Sequence, residues 1–85
     1  MVEKTTDNLK TYNKVFCEVF NVQESVLDEC FTFHTVGIWD SISHFTLITE
    51  LEDTFDVMFD TDDILHFESY LNGIAILKRY GIAFD

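Results

Sequence analysis

The sequence predicts an all-α fold: a small four-helix bundle with a long first loop and a short third helix. Three observations carry this prediction. The chain has no proline and three glycines, which argues against a turn-rich all-β fold. Apolar residues make up 47% of its 85 residues and include nine Phe, enough to fill one modest core. Apolar positions also recur at three- and four-residue steps, behind Ser, Thr or Asp residues that suit helix starts. The whole chain, residues 1–85, reads as one domain.

The first helix is predicted from about Thr6 to Phe20. Thr5, Thr6 and Asp7 are possible N-caps, and Leu9, Tyr12, Phe16, Val19 and Phe20 make one apolar face. Asn21 is a reasonable stop. Val22 to Trp39 has apolar residues but no clean period, so it reads as a loop packed on itself, with a short helical turn near Ser25 to Glu29. The second helix starts at Asp40 or Ser41 and runs to about Phe55. Leu47, Leu51 and Phe55 form its core row, with Ile48 beside it and Phe45 off the row near Ile42. Asp56 to Phe59 links to a short third helix, Asp60 to Phe67. Ser69 caps a fourth helix, Tyr70 to Tyr80, whose inner face is predicted as Leu71, Ile74, Ala75 and Leu77. Lys78 and Arg79 suit its C-terminal end and Gly81 suits the position beyond it. Gly73 costs about 1 kcal/mol against Ala inside a helix, which points to a close approach there. The predicted core unites Phe16, Leu47, Leu51, Phe55 and Ile74.

Composition narrows the classes of function. Sixteen acidic residues against five basic ones give a formal charge of −11. Nucleic acid is therefore not an expected partner, since phosphate backbones are bound by Lys and Arg. Basic protein surfaces are, although an acidic surface also serves plain solubility. No stretch reaches the ~20 apolar residues of a membrane span. Met1 to Lys14 is polar and unlike a secretory signal, so the expected location is cytoplasmic. Cys17 and Cys30 are too few for a disulfide framework or a zinc site, and both are expected to pack as apolar groups.

The most informative stretch is Trp39-Asp40-Ser41-Ile42-Ser43-His44-Phe45. It puts a serine directly after an aspartate where a loop becomes a helix. Helix N-termini carry unpaired N–H groups and partial positive charge, so a phosphate ester on Ser41 would be well placed. Taken alone, Asp-Ser is an ordinary capping pair.

Residues 37–48, followed by Glu50-Leu51-Glu52-Asp53-Thr54-Phe55, resemble the acyl carrier protein family. The likeness rests on Asp40-Ser41-Ile42 in place of Asp-Ser-Leu, Trp39 before it, His44 after it, and the apolar row and acidic run that follow. It extends over Asp62 to Leu77 and so covers roughly the latter half of the chain. The resemblance implies a helix bundle of acyl-carrier type and no enzymatic activity of its own. It implies 4′-phosphopantetheine, transferred from coenzyme A to Ser41 by a phosphopantetheinyl transferase, with Asp40 helping to place the serine and the metal of that enzyme. An acyl or aminoacyl group would be held as a thioester on the arm. Expected partners are the transferase, an acyl-loading ligase or synthase, and acyltransferases, met by a monomer through Ile42, Phe45, Glu50, Glu52 and Asp53. The chain departs from the family at Ile42, and at Thr46 and Thr49, where many members have Glu and Met. The Phe-rich interior leaves less room for a long acyl chain.

Other readings are weaker. His44 could neighbour Ser41 on a helix, but nucleophilic catalysis needs an orienting group and an oxyanion site as well. A partly buried structural His is the better reading, and His34 and His66 read as structural or surface residues. Asp60, Asp62 and Asp63 resemble the start of a calcium loop, which Ile64 and Leu65 then fail to continue. The alternative function is an acidic helical interaction module with an unmodified Ser41.

Overall fold

Residues 8–84 are described by a computed structural model. Among the described residues the fold is all-α. Helix α1 spans Asn8–Phe20, a 3₁₀ turn spans Glu24–Val26, and α2, α3 and α4 span Ser41–Phe55, Thr61–His66 and Tyr70–Arg79. The predicted start of α1 at Thr6 and the caps Thr5, Thr6 and Asp7 lie outside the described residues.

Helices α2 and α4 begin where the sequence places them because their starts are local chemistry, whereas α3 follows Asp60 with no side-chain cap. Asp40 and Ser69 both have extended backbone, and each side chain accepts the backbone N–H three residues on. The ends are equally local. Asn21 (φ 56°), Asp56 (φ 55°) and Gly81 (φ 90°) take the left-handed conformation that closes a helix. The helical turn in the first loop lies at Glu24–Val26, slightly before its expected position.

The core is built around rings. Tyr12, Phe16, Leu47, Leu51, Phe67 and Leu77 are the largest fully buried side chains. The Phe16 ring has six aromatic neighbours, Tyr12, Phe20, Phe31, Trp39, Phe67 and Tyr70, at centroid distances from 4.8 to 6.4 Å. Pairs at such separations add about 0.5–1.5 kcal/mol beyond their buried area. Phe55 and Ile74 pack against this cluster while staying half-buried.

The first loop has a tie that its predicted form lacks. It is folded on itself, with Val36 N–H donating to the Thr32 carbonyl (3.0 Å) and Thr35 Oγ1 to the Cys30 carbonyl (2.6 Å), and is also tied to the α3–α4 junction. Phe33 N–H donates to the Glu68 carbonyl (2.8 Å) and Tyr70 N–H donates to the Phe31 carbonyl (2.9 Å), around an antiparallel bridge between Thr32 and Ser69. Phe31 and Trp39 are thereby buried, whereas Val26, Phe33 and Ile38 stay exposed. Cys30, predicted to pack, is exposed. Cys17 is half-buried, and burial, with Glu24 and Glu18 nearby, pushes its thiol up.

Helix α4 is rotated from its predicted face. Tyr70, Gly73, Ile76 and Leu77 are buried, whereas Leu71 and Ala75 are exposed. Gly73 sets this rotation. A Cβ there would run into the Phe67 ring and the Tyr12 hydroxyl, so the α4 backbone meets its neighbours directly.

Six residues make a marginal helix on their own. Helix α3 is held by a polar pin. Arg79 Nη2 donates to Asp63 Oδ1 (2.5 Å), Tyr80 OH donates to Asp63 Oδ2 (2.5 Å), and Asp60 N–H donates to Tyr80 OH (2.9 Å). Asp63 is therefore a structural carboxylate tying α3 to the end of α4.

Candidate functional site

Ser41 is the first residue of α2 and is exposed. The cap beside it is reciprocal. Asp40 Oδ1 accepts Ser43 N–H (2.9 Å), and Ser43 Oγ accepts Asp40 N–H (2.8 Å). Ser43 Oγ also donates to the Ile38 carbonyl (2.9 Å), fixing the incoming loop. Two residues on either side of Ser41 thus perform the capping, and the Ser41 hydroxyl is left out of the cap. The hydrogen bond from Ser43 N–H is the main cause that holds the Asp40 carboxyl below the usual carboxylate range. An ionised Asp40 already sits at the positive end of the helix dipole. The attraction that α2 offers a phosphate on Ser41 is shared with this carboxylate.

One turn on, His44 is half-buried and both ring nitrogens are engaged. Trp39 Nε1–H donates to His44 Nδ1 (3.1 Å), and His44 Nε2 lies 2.8 Å from the Ile64 carbonyl. An indole N–H only donates and a carbonyl only accepts, so the ring proton sits on Nε2. His44 joins the loop, α2 and α3, and its nitrogens face away from a role on the Ser41 hydroxyl.

A cleft of about 320 Å³ opens beside Ser41. Ser41, His44 and Phe45 of α2 line it, with Phe33 and His34 of the loop, Leu65 of α3, and Phe67 and Glu68 beyond α3. Ile42 (79% exposed), Phe45 (62%) and Leu65 (67%) form an apolar surface around the serine. Glu50 and Asp53 are exposed further along α2, about 14 and 18 Å from Ser41 at 1.5 Å per residue. Glu52 differs from both: its Oε2 accepts Phe59 N–H (3.0 Å), so this carboxylate also fixes the chain after α2.

His34 and His66 are exposed, and His66 Nδ1 lies 2.7 Å from the Asp62 carbonyl. Among the described residues no group of three His, Cys, Asp or Glu side chains is arranged to hold a metal ion. No helix among them is long and apolar enough to cross a membrane.

Sequence reasoning found Asp40, Ser41, Ile42 and Phe45 as neighbours. It missed Ser43, because the capping-box pattern expects Glu or Gln three residues after the cap and this chain has Ser there. It also missed Phe33, Leu65, Phe67 and Glu68, which no local pattern connects to Ser41. Compared with known protein families, curated proteins and solved structures, the chain matches none.

Proposed function

We propose that the protein is a carrier of the acyl carrier type, with 4′-phosphopantetheine on Ser41. The observation that carries this reading is the division of labour at the start of α2. Asp40 and Ser43 close the helix start between them, while Ser41 stands exposed and outside the cap. A serine needed only for folding would be expected to take part in the cap.

The residues fit the group. An exposed hydroxyl at a rigid helix start gives a flexible arm a fixed root, and the adjoining cleft has apolar walls for its uncharged part. In the attachment step Ser41 Oγ attacks the pantetheine-bearing phosphorus of the coenzyme A diphosphate. A phosphodiester forms, adenosine bisphosphate leaves, and the hydroxyl proton passes to a base of the transferase. The arm, when attached, supplies a thiol that holds an acyl or aminoacyl group as a thioester. This chain contributes the anchor, the apolar contacts Ile42 and Phe45, and the charged contacts Glu50 and Asp53. Catalysis belongs to the partners, since both nitrogens of His44 are committed to Trp39 and Ile64.

Intact-mass measurement after incubation with coenzyme A, Mg²⁺ and a broad-specificity phosphopantetheinyl transferase tests the reading. One arm is expected on the wild-type chain and none on Ser41→Ala, with unchanged far-UV circular dichroism. An unmodified wild-type chain would favour the acidic interaction module instead. The same gain on Ser41→Ala would move the site elsewhere.

A further inference from the structure

We infer that Phe67 closes the interior to whatever Ser41 carries, so that the cargo is a short acyl group that stays outside the core. This rests on the carrier reading. The cleft beside Ser41 adjoins the arm's root, and Phe67 is among the residues that line it. Phe67 is 1% exposed, although it lines this open cleft. It is walled in by other rings, with Phe59, Phe16, Trp39 and His44 at centroid distances of 6.1, 6.4, 6.4 and 6.5 Å.

The ring has little room to withdraw. Behind it lies the bare backbone of Gly73, so close that even a Cβ would overlap the ring. The Tyr12 hydroxyl bounds the same spot and is fixed by donating to the Tyr70 carbonyl (2.6 Å). A close-packed interior admits extra methylenes only by displacing side chains from their rotamers. The chain of a long acyl group would therefore meet the face of Phe67, and methylenes beyond the cleft would remain in water.

Thioester protection tests this directly. The wild-type chain is loaded from acetyl-, butyryl-, octanoyl- and dodecanoyl-coenzyme A by the same transferase. Each form is then treated with hydroxylamine, which gives the hydroxamate and the free arm thiol. A chain drawn into a core would be cleaved roughly tenfold more slowly for each further pair of buried methylenes. The expected rate is flat from butyryl to dodecanoyl. Trp39, the single Trp of the chain, is buried beside Phe67 and should keep the same emission throughout. Phe67→Leu, checked for folding by circular dichroism, should slow cleavage of the dodecanoyl form alone. Progressive protection of the wild type, or a Trp39 shift on dodecanoyl loading, would overturn the inference while leaving the carrier reading intact. A folded Phe67→Leu that behaves as the wild type would remove Phe67 as the barrier. Failure of every loading reaction would overturn the carrier reading and this inference with it.

Discussion

Single residues in this fold carry more than one duty, and Asp63 shows how that depends on pH. Its carboxyl lies below the usual range because Tyr80 and then Arg79 hydrogen-bond it. A carboxyl whose folded-state value is depressed stabilises the fold above its unfolded value, near 3.9, and loses that contribution as pH falls through the folded value. The pin between α3 and α4 should thus be intact above about pH 5 and fail in acid. Asp63→Asn should destabilise the wild-type fold by about 1–3 kcal/mol near pH 7, since the two donors lose a charged acceptor. The gap between variant and wild type should narrow as pH drops below 4. Urea titrations at several pH values measure it, and a gap independent of pH would show that the Asp63 charge is not what holds α3.

At the scale of elements, the sequence was legible where structure is decided locally. Asp40 and Ser69 announce α2 and α4 because caps are built from neighbouring residues. In the row Leu47, Leu51 and Phe55 the first two are buried as the spacing requires, and Phe55 is half-buried. Two things were not legible. The loop clamp joins backbone groups of Phe31 and Phe33 to Tyr70 and Glu68, and such bonds leave no side-chain signature. The face of α4 was misread because Leu71 and Ala75 look apolar, whereas the buried face is chosen by the small residue that allows contact, Gly73. The site was half legible for the same reason: Ser41 and its α2 neighbours share one helix, but Phe33, Leu65 and Phe67 reach it through the fold. This explanation of α4 has a test whose sign opposes propensity. Gly to Ala in a helix interior ordinarily stabilises by about 1 kcal/mol. Gly73→Ala should instead destabilise by about 1–3 kcal/mol, as overpacking does. A raised denaturation midpoint would mean that α4 and Phe67 adjust freely and that Gly73 does not set the helix face.

For the molecule as a whole, the dominant fact is charge. A formal −11 on 85 residues attracts basic surfaces over several ångströms, and that attraction acts mainly on encounter rate. The acidic run of α2 divides on inspection. Glu50 and Asp53 are exposed, while Glu52 holds Phe59 N–H and so contributes to the fold. Reversing Glu52 would confound docking with stability. The cleaner variant is Glu50→Lys with Asp53→Lys. It should leave the denaturation midpoint nearly unchanged and, on the proposed carrier function, slow transfer of the arm to Ser41 at low salt. The difference from wild type should shrink as ionic strength rises, because the Debye length falls from about 30 Å at 0.01 M to about 8 Å at 0.15 M. Phe45→Ala, which removes an exposed ring beside the serine, should weaken transfer with little dependence on salt. Transferase kinetics on both variants across a salt series separate the two effects. If the doubly reversed chain is modified at the wild-type rate in low salt, the acidic face of α2 serves solubility for that partner, and docking rests on Ile42 and Phe45.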